Sequence, residues 1–222
     1  MKKYFFYWSC LLGLAACQSI PKADKAVIVS KQQVVASSSQ AVVFKVDTAS
    51  SSIIWIGTKP TGFHTGTFRL DQGVILLADH VISSGEFSIN VASLSNKDLQ
   101  GDSKKKLEDH LKSADFFDVA NYPTARFEIT HISLYDSTQV KSLMDSATHL
   151  ISGNLTLKEQ TRNITFPSIV RLTDTSLEAS AYFLIDRTQW GLNYGSDRSL
   201  QDRFIRPEVA IQLSIKATRS EP

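Results

Sequence analysis

The side chains that could act chemically are few, and their spacing matches no common catalytic or metal-binding pattern. The five histidines are widely separated, and no nucleophile elbow, phosphate-binding loop or HExxH sequence occurs. Both cysteines, Cys10 and Cys17, lie near the N-terminus, so the rest of the chain has no thiol for catalysis, metal binding or a disulfide. We therefore expect no catalytic residue, no metal site and no enzymatic activity.

Cys17 lies in a sequence context with its own chemistry. Residues 1–16 begin with Lys2 and Lys3 and continue as a mainly apolar run, which is typical of an export signal and too short to cross a bilayer. The run ends in LAAC, which is similar to the bacterial lipobox, where the cysteine thiol receives diacylglycerol before cleavage. This pattern predicts a lipoprotein of the bacterial cell envelope anchored through Cys17, and Gln18 in place of aspartate favours the outer membrane. An ordinary export signal with an incidental cysteine is the alternative.

The charge of the chain excludes nucleic acid as a partner. The 222 residues include 24 Lys and Arg against 22 Asp and Glu, and removal of residues 1–16 removes two lysines and no acid, which leaves 22 of each. A neutral domain has no surplus of cations with which to neutralise phosphates. Without a disulfide, the domain must be held together by burial of apolar surface, for which roughly 175 residues suffice.

Hydrophobic alternation predicts that the domain is a closed β-barrel. Residues 17–42 lack aromatic residues and glycine, which is typical of a flexible tether, with a short edge strand at 27–29 or 34–35 as the alternative. The period of two that marks strands recurs from 43 to 217, and 218–222 form a C-terminal tail. The predicted strands are 43–47, 52–58, 73–78, 80–93, 125–134, 150–157, 163–172, 177–185 and 209–217, with a turn or bulge segment at 61–68. Short connections favour an all-β, antiparallel, eight-stranded barrel with one helical excursion, and a two-sheet sandwich is the alternative.

Local patterns add detail to the predicted strands. The alternation in 80–93 is uninterrupted, so the odd-numbered residues from Val81 to Val91 are expected to share one face. The apolar phase changes between Ile129 and Ile132, which predicts a β-bulge. Small residues on predicted inward faces leave room inside the barrel: Gly85, Ala179 and Ala181.

The stretch 109–127 mixes charge, aromatics and turn residues more densely than any other part of the sequence. It overlaps a predicted helix at 104–111, with Asp102-Ser103 as its N-cap and with Leu107 and Leu111 on one face. Two adjacent phenylalanines follow, and Tyr122-Pro123 is expected to turn the chain back into a strand.

This stretch also carries a resemblance to a known family. The sequence HLKSADFFDVANYPTARF, from His110 to Phe127, resembles the signature of the YceI family. Further similar blocks occur in the same order: WIGTK from Trp55, GFHTGTF from Gly62, GEF from Gly85, GNLTL from Gly153 and DRTQWG from Asp186. The match covers about residues 43–217. It implies a lipocalin-like barrel in the bacterial envelope that holds a polyisoprenoid lipid.

The resemblance makes the aromatic residues candidates for the wall of an apolar cavity and three polar residues candidates for the headgroup contact. The wall candidates are Trp55, Phe68, Phe87, Phe116, Phe117, Phe127, Phe183 and Trp190, and the headgroup candidates are His64, His110 and Arg187. Arg187 is expected to pair with Asp186 or a phosphate, while Phe116 and Phe117 face the interior under a lid formed by 109–127. The loop 136–148 looks longer than usual for the family, and 193–206 predict a hydrophilic mouth.

The expected function is to bind or shield an isoprenoid lipid of the quinone or polyprenyl phosphate type at the membrane. The expected partners are that lipid and, through the acyl anchor, the membrane; a homodimer is left open. No cofactor beyond the bound lipid is expected. A structural or interaction lipoprotein with a side-chain-filled barrel is the first alternative, and an enzyme acting on a lipid-like substrate is the second.

Overall fold

The computed structural model describes residues 21–34 and 41–220. These residues form eleven strands, one α-helix and two short 3-10 helices. In chain order they are β1 (Asp24–Lys25), β2 (Val27–Ser30), β3 (Val42–Val46), β4 (Ser52–Lys59), β5 (Gly62–Ala78), β6 (Val81–Asn96), α1 (Gly101–Lys112), β7 (Thr124–Leu134), β8 (His149–Leu157), β9 (Gln160–Leu172), β10 (Ser176–Asp186), the 3-10 helices Arg187–Trp190 and Arg198–Arg203, and β11 (Glu208–Arg219). No helix within the described ranges has both the length and the apolar character needed to cross a bilayer.

The strands from β4 to β11 close into an antiparallel barrel. Each strand pairs with the next, and β11 pairs back with β4, so that Ile211 lies opposite Trp55. β3 continues the position of β4, because it pairs with both β11 and β5. The predicted eight-stranded barrel is confirmed, and the sandwich alternative is wrong because the ladder returns to its first strand. β11 also extends two residues into the predicted C-terminal tail.

The barrel has two distinct ends. We call the end that carries α1, the β4–β5 and β8–β9 turns and the segment 187–207 the helix end. The far end carries the β5–β6 turn, the β7–β8 loop (residues 135–148) and the β9–β10 turn. This division follows from the strand order, since neighbouring antiparallel strands turn at alternate ends.

The N-terminal strands fill a gap in the barrel wall, and the predicted tether is wrong for these residues. β9 pairs with β10 only between Ile169–Leu172 and Leu177–Ser180, after which the two strands part. β1 adds to β10 in parallel, and β2 adds antiparallel to β9. The insertion is stable because it satisfies backbone groups that the parted strands would leave unpaired. The alternative of a short edge strand near 27–29 is therefore confirmed, because β2 pairs with β9 alone among the described strands. Residue 34 is not in a strand, and residues 17–20 and 35–40 lie outside the described residues.

A buried amide clamps the end of this inserted segment. Asn154 is fully buried, and its side chain accepts a hydrogen bond from Gln32 N (3.0 Å) and donates one to Gln32 O (2.8 Å). Asn163 donates to the Asn154 side-chain oxygen (3.1 Å) and to Thr130 Oγ1 (2.8 Å). The outer faces of β7, β8 and β9 thus hold the backbone of the N-terminal segment by a small polar network.

Register shifts alter the faces of two long strands. β5 is continuous over Gly62–Ala78 where two segments were predicted, because shifts in its pairing with β6 absorb the irregularity that the glycines signalled. In β6, Ile82 lines the interior together with Phe87, so the expectation that Val81 and Ser83 share the inward face of Phe87 is wrong. The predicted bulge in β7 is confirmed by a shift between Ile129 and His131.

The helix α1 begins earlier than predicted. Its N-cap residue is Gln100, without a side-chain hydrogen bond, so Asp102 and Ser103 lie inside the helix and the predicted cap is wrong. Glu108 fixes the helix on β6 by accepting a hydrogen bond from Asn96 N (2.7 Å).

Candidate functional site

The barrel encloses one large apolar cavity of about 360 Å³. This volume lies in the range of small-molecule sites, roughly 300–1,000 Å³. Every barrel strand contributes to its wall, and no Asp or Glu of the described residues lines it. The aliphatic part of the wall includes Ile53, Leu70, Ile75, Ile89, Ile129, Ile151, Leu155, Ile164, Val209, Ile211 and Leu213. These residues were missed as site candidates, although the strand alternation that predicted the barrel also marked most of them as inward.

Seven of the eight predicted wall aromatics line this cavity. They are Trp55, Phe68, Phe87, Phe116, Phe117, Phe127 and Phe183. Trp55 lies flat over β5 because Gly66 stands opposite it: a Cβ at Gly66 would meet Trp55 Cζ2 at 2.4 Å. The sequence pattern of a tryptophan on β4 and a glycine on β5 therefore has a steric cause.

Trp190 does not line the cavity, so its assignment to the wall is wrong. It is 1% exposed and packs in the core beside the cavity wall, and its indole N–H donates to Leu155 O (2.9 Å). The 3-10 helix that follows β10 lies against β9, while the Trp190 indole is bonded to β8. We infer that it fixes this helix against the barrel.

The small residues of the wall behave differently from one another. Ala179 and Ala181 line the cavity, as expected. Gly85 leaves no room, because a Cβ there would meet Ile129 Cδ1 at 2.9 Å. Gly57, which was part of the WIGTK block but was not named among the small inward residues, lines the cavity with no atom within 4 Å of its Cβ position. Open space therefore begins at Gly57.

An aromatic cluster closes the helix end of the cavity. The His110 ring contacts Phe116 (5.2 Å) and Tyr194 (4.5 Å) edge to face, and Phe117 packs edge to face on Phe68 (5.5 Å). Leu107 and Leu111 of α1 also line the cavity. The predicted lid is therefore formed by 107–117 together with a second segment that contains Tyr194.

This second segment is less hydrophilic than its sequence predicted. Leu192 and Phe204 are buried, and Leu192 and Ile205 line the cavity. The polar side chains that suggested a hydrophilic mouth are mostly exposed, as Arg198 and Asp202 illustrate. The sequence did not reveal the inward apolar residues, because the segment is not a regular strand and no period marked which of its residues point inward.

Arg187 is buried and holds the second lid segment through backbone oxygens. Its guanidinium donates to Tyr194 O and Ile205 O (both 2.9 Å), and to the carbonyl oxygens of Leu192 and Arg206. The expected ion pair with Asp186 is absent among the described residues, because Asp186 instead accepts hydrogen bonds from Thr188 N and Oγ1. Burial lowers the pKa of Arg187, against a weaker opposing effect of Asp186.

The charge of Arg187 faces the cavity. Arg187 lines the cavity wall, and its Cζ lies 5.6 Å from the centroid of the Phe116 ring. Four of its five N–H groups have backbone partners, so the positive charge is hydrogen-bonded but not neutralised. Lys59 lines the same end of the cavity and is likewise in no ion pair of the described residues.

The two histidine candidates also line the helix end, and each has a carboxylate partner. His64 Nδ1 lies 2.7 Å from Asp98 Oδ2, and His110 Nε2 lies 3.1 Å from Asp115 Oδ2. Burial alone would raise the pKa of Asp98, but hydrogen bonds from His64, Thr65 N and Asn96 outweigh it and lower the pKa. The helix end therefore gathers Lys59, His64, His110 and Arg187 at one end of a cavity that is otherwise almost wholly apolar.

A closed antiparallel barrel with an apolar interior and a lid at one end defines a lipocalin-like protein. The comparison with family models then identifies the family. The YceI-like domain matches residues 44–217, and the chain belongs to the YceI family.

Two solved structures share the fold. Burkholderia cenocepacia BcnA is 22% identical, with a TM-score of 0.60, and the match covers 78% of this chain and 99% of BcnA. A domain from Saccharophagus degradans, described as a polyisoprenoid binding domain implicated in plant cell wall breakdown, is 18% identical, with a TM-score of 0.59 and coverage of 81% and 99%. At these identities the likeness shows the fold alone. No curated protein matches the sequence.

Proposed function

We propose that the protein binds an isoprenoid lipid in its barrel cavity, as a binding protein and not an enzyme. The observation that carries the proposal is the large apolar cavity, whose wall comes from all barrel strands and the lid. A polyisoprenoid tail is apolar along its length, and each CH₂ removed from water contributes about 0.8 kcal/mol. Family membership and the description of the Saccharophagus degradans domain support this ligand class. The cavity argues against the alternative of a barrel filled by its own side chains.

The charges at the helix end support an oxygen-rich, preferably anionic headgroup. A phosphate beside Lys59 and Arg187 would offset two charges that lack carboxylate partners, whereas a quinone would offer only neutral acceptors. Arg187 would act mainly through its charge, since most of its N–H groups are already bonded. Within the quinone and polyprenyl phosphate types, we therefore favour the phosphate.

Lipid extraction tests the proposal. Protein purified from a host that makes isoprenoid lipids would be extracted and analysed by mass spectrometry, and stripped protein would be offered a polyprenol and the monophosphate of the same polyprenol. We expect recovery of an isoprenoid and tighter binding of the phosphate. Recovery of none, with uptake of neither probe, would refute the function. Equal uptake of both would refute only the headgroup preference. Lys59→Met is the variant that tests this preference, because the Lys59 side chain is partly exposed and forms no ion pair with the described residues.

We further propose that Cys17 carries the acyl anchor of an exported envelope protein, held at the outer membrane. The LAAC sequence supports the anchor, and Gln18 supports the outer membrane. Cys17→Ser should move the protein from the membrane fraction to the soluble fraction. Continued association of this variant with membranes would contradict the anchor.

A further inference from the structure

The position of β1 fixes where the chain leaves the barrel toward Cys17. Asp24 begins β1, and its carboxylate accepts hydrogen bonds from Ser142 Oγ (2.6 Å) and Leu143 N (3.0 Å) in the β7–β8 loop. Residues 18–23 alone separate Cys17 from Asp24, so this stretch spans at most about 25 Å when fully extended. An acyl anchor on Cys17 would hold the β7–β8 loop close to the bilayer surface.

The same loop and the adjoining last residue of β7 expose large apolar side chains. Leu134, at the end of β7, is 76% exposed and Leu143 is 66% exposed, the two highest values among the large apolar residues of the described chain. Val140 is also exposed, and the Tyr135 hydroxyl donates to its carbonyl oxygen (2.7 Å), which folds the loop back toward Leu134. Grouped apolar side chains on a protein surface mark contacts with membranes or other proteins.

We propose that the β7–β8 loop is a membrane-docking surface, with Leu134 and Leu143 inserted at the lipid interface. The inference rests on the acyl anchor proposed above, which brings the loop to the bilayer. Apolar insertion carries the docking, because the charges of the loop are mixed: Asp136 and Asp145 accompany Lys141. Docking is therefore insensitive to salt and to the fraction of anionic lipid, unlike binding by a polybasic segment.

The orientation follows from the two ends of the barrel. β1 runs parallel to β10, so the chain enters it from the side of the far end, and docking on that side turns the helix end, with Lys59 and Arg187, away from the bilayer surface. Phe63, which is 41% exposed beside the β4–β5 turn of the helix end, then lies away from lipid. Leu143 and Phe63 are thus a matched pair of exposed apolar sites, one in the β7–β8 loop and one beside the β4–β5 turn.

Site-specific fluorescence tests the docking. Acylated protein carrying Leu143→Cys, Leu134→Cys or Phe63→Cys would be labelled with an environment-sensitive dye and placed in vesicles of phosphatidylethanolamine and phosphatidylglycerol. Each label is unique, because an acylated Cys17 has no free thiol and residues 18–222 contain no other cysteine. We expect a blue shift and quenching by nitroxide-labelled lipid at positions 143 and 134 and neither at 63, unchanged between low and high salt.

The outcomes separate this inference from the anchor. Protein that does not float with the vesicles would refute the anchor. Protein that floats while the label at 143 and 134 responds no more than the label at 63 would refute the docking and leave the anchor in place. A salt-sensitive response would also refute docking by apolar insertion. A dimer without vesicles that Leu143→Ser dissociates would assign the loop to a second copy of the chain instead.

Discussion

Substitution of Gly57 by leucine should block the cavity without harming the fold. Gly57 lies on β4 between Trp55 and Lys59, and a Cβ at this position meets no atom within 4 Å. The four carbons of a leucine side chain would therefore occupy space that a lipid tail fills. Because glycine in a strand costs roughly 0.5–1 kcal/mol relative to alanine, the lipid-free variant should be at least as stable as the wild type.

The size of the effect follows from the volume displaced. If four tail carbons lose their buried position at about 0.8 kcal/mol each, binding weakens by about 3 kcal/mol. This corresponds to roughly a 200-fold higher Kd. Gly57→Ala adds one carbon and should raise the Kd about fourfold by the same reasoning.

Stripped protein and a radiolabelled polyprenol would give the Kd, and urea unfolding of the lipid-free proteins would give the stability. Ala92→Leu is the matched control, since Ala92 is exposed on β6 and does not line the cavity. Binding by Gly57→Leu within twofold of the wild type, with the fold intact, would show that the lipid does not pass Gly57. The cavity at Gly57 would then not be the tail site.

Three further perturbations test the lid, the inserted N-terminal segment and the dependence of stability on low pH. Alanine at both Phe116 and Phe117 should loosen lipid retention more than it lowers stability, because both rings line the cavity; off-rates and urea midpoints measure the two effects. Asn154→Ala should lower stability by about 1–3 kcal/mol, because it leaves the backbone of Gln32 without its buried partners; urea unfolding measures the loss. Asp98→Asn should flatten the loss of stability on acidification below about pH 4, measured by unfolding across pH.

The sign of the last prediction follows from the lowered pKa of Asp98. A carboxyl group whose pKa is lower in the folded state stabilises the fold above its unfolded pKa, and this stabilisation disappears as the pH falls through the folded pKa. An unchanged acid slope in Asp98→Asn would assign that slope to other carboxylates.

Each of the other two predictions has its own control. Asn121→Ala, which removes an exposed amide, is the control for Asn154→Ala and should leave the urea midpoint unchanged. If Asn121→Ala lowers stability as much as Asn154→Ala does, the hydrogen bonds of Asn154 to Gln32 have no special role. If the variant with alanine at Phe116 and Phe117 retains lipid as well as the wild type does, these two residues contribute only to packing and do not act as a lid. Trp190→Phe, in contrast, should lower stability with little change in lipid affinity per folded molecule, since Trp190 lies outside the cavity wall.

The alternation of apolar residues was enough to predict the barrel because strand periodicity is a local property. The phase change between Ile129 and Ile132 even located a bulge, since one inserted residue moves all later side chains to the other face. The wall aromatics on regular strands, such as Phe87 and Phe183, could be placed by the same argument. Trp190 could not, because it follows the end of β10, where the period of two no longer applies.

The tertiary structure alone decided the features that depend on distant partners. The segment 24–30 indicated a strand only as an alternative to a tether, and it forms β1 and β2 because β9 and β10 part and leave backbone groups to be paired. Arg187 looked like the partner of an acid, yet the folded chain brings the carbonyl oxygens of 192–206 around it. Cys17 and its LAAC sequence are sequence features, but only the parallel pairing of β1 with β10 and the attachment of Asp24 to the β7–β8 loop indicate which end of the barrel an anchor would hold near the membrane. Local sequence patterns specify the individual strands and the helix. The gap between β9 and β10, the surroundings of the buried Arg187 and the point where the chain leaves the barrel are set by contacts between residues far apart in sequence.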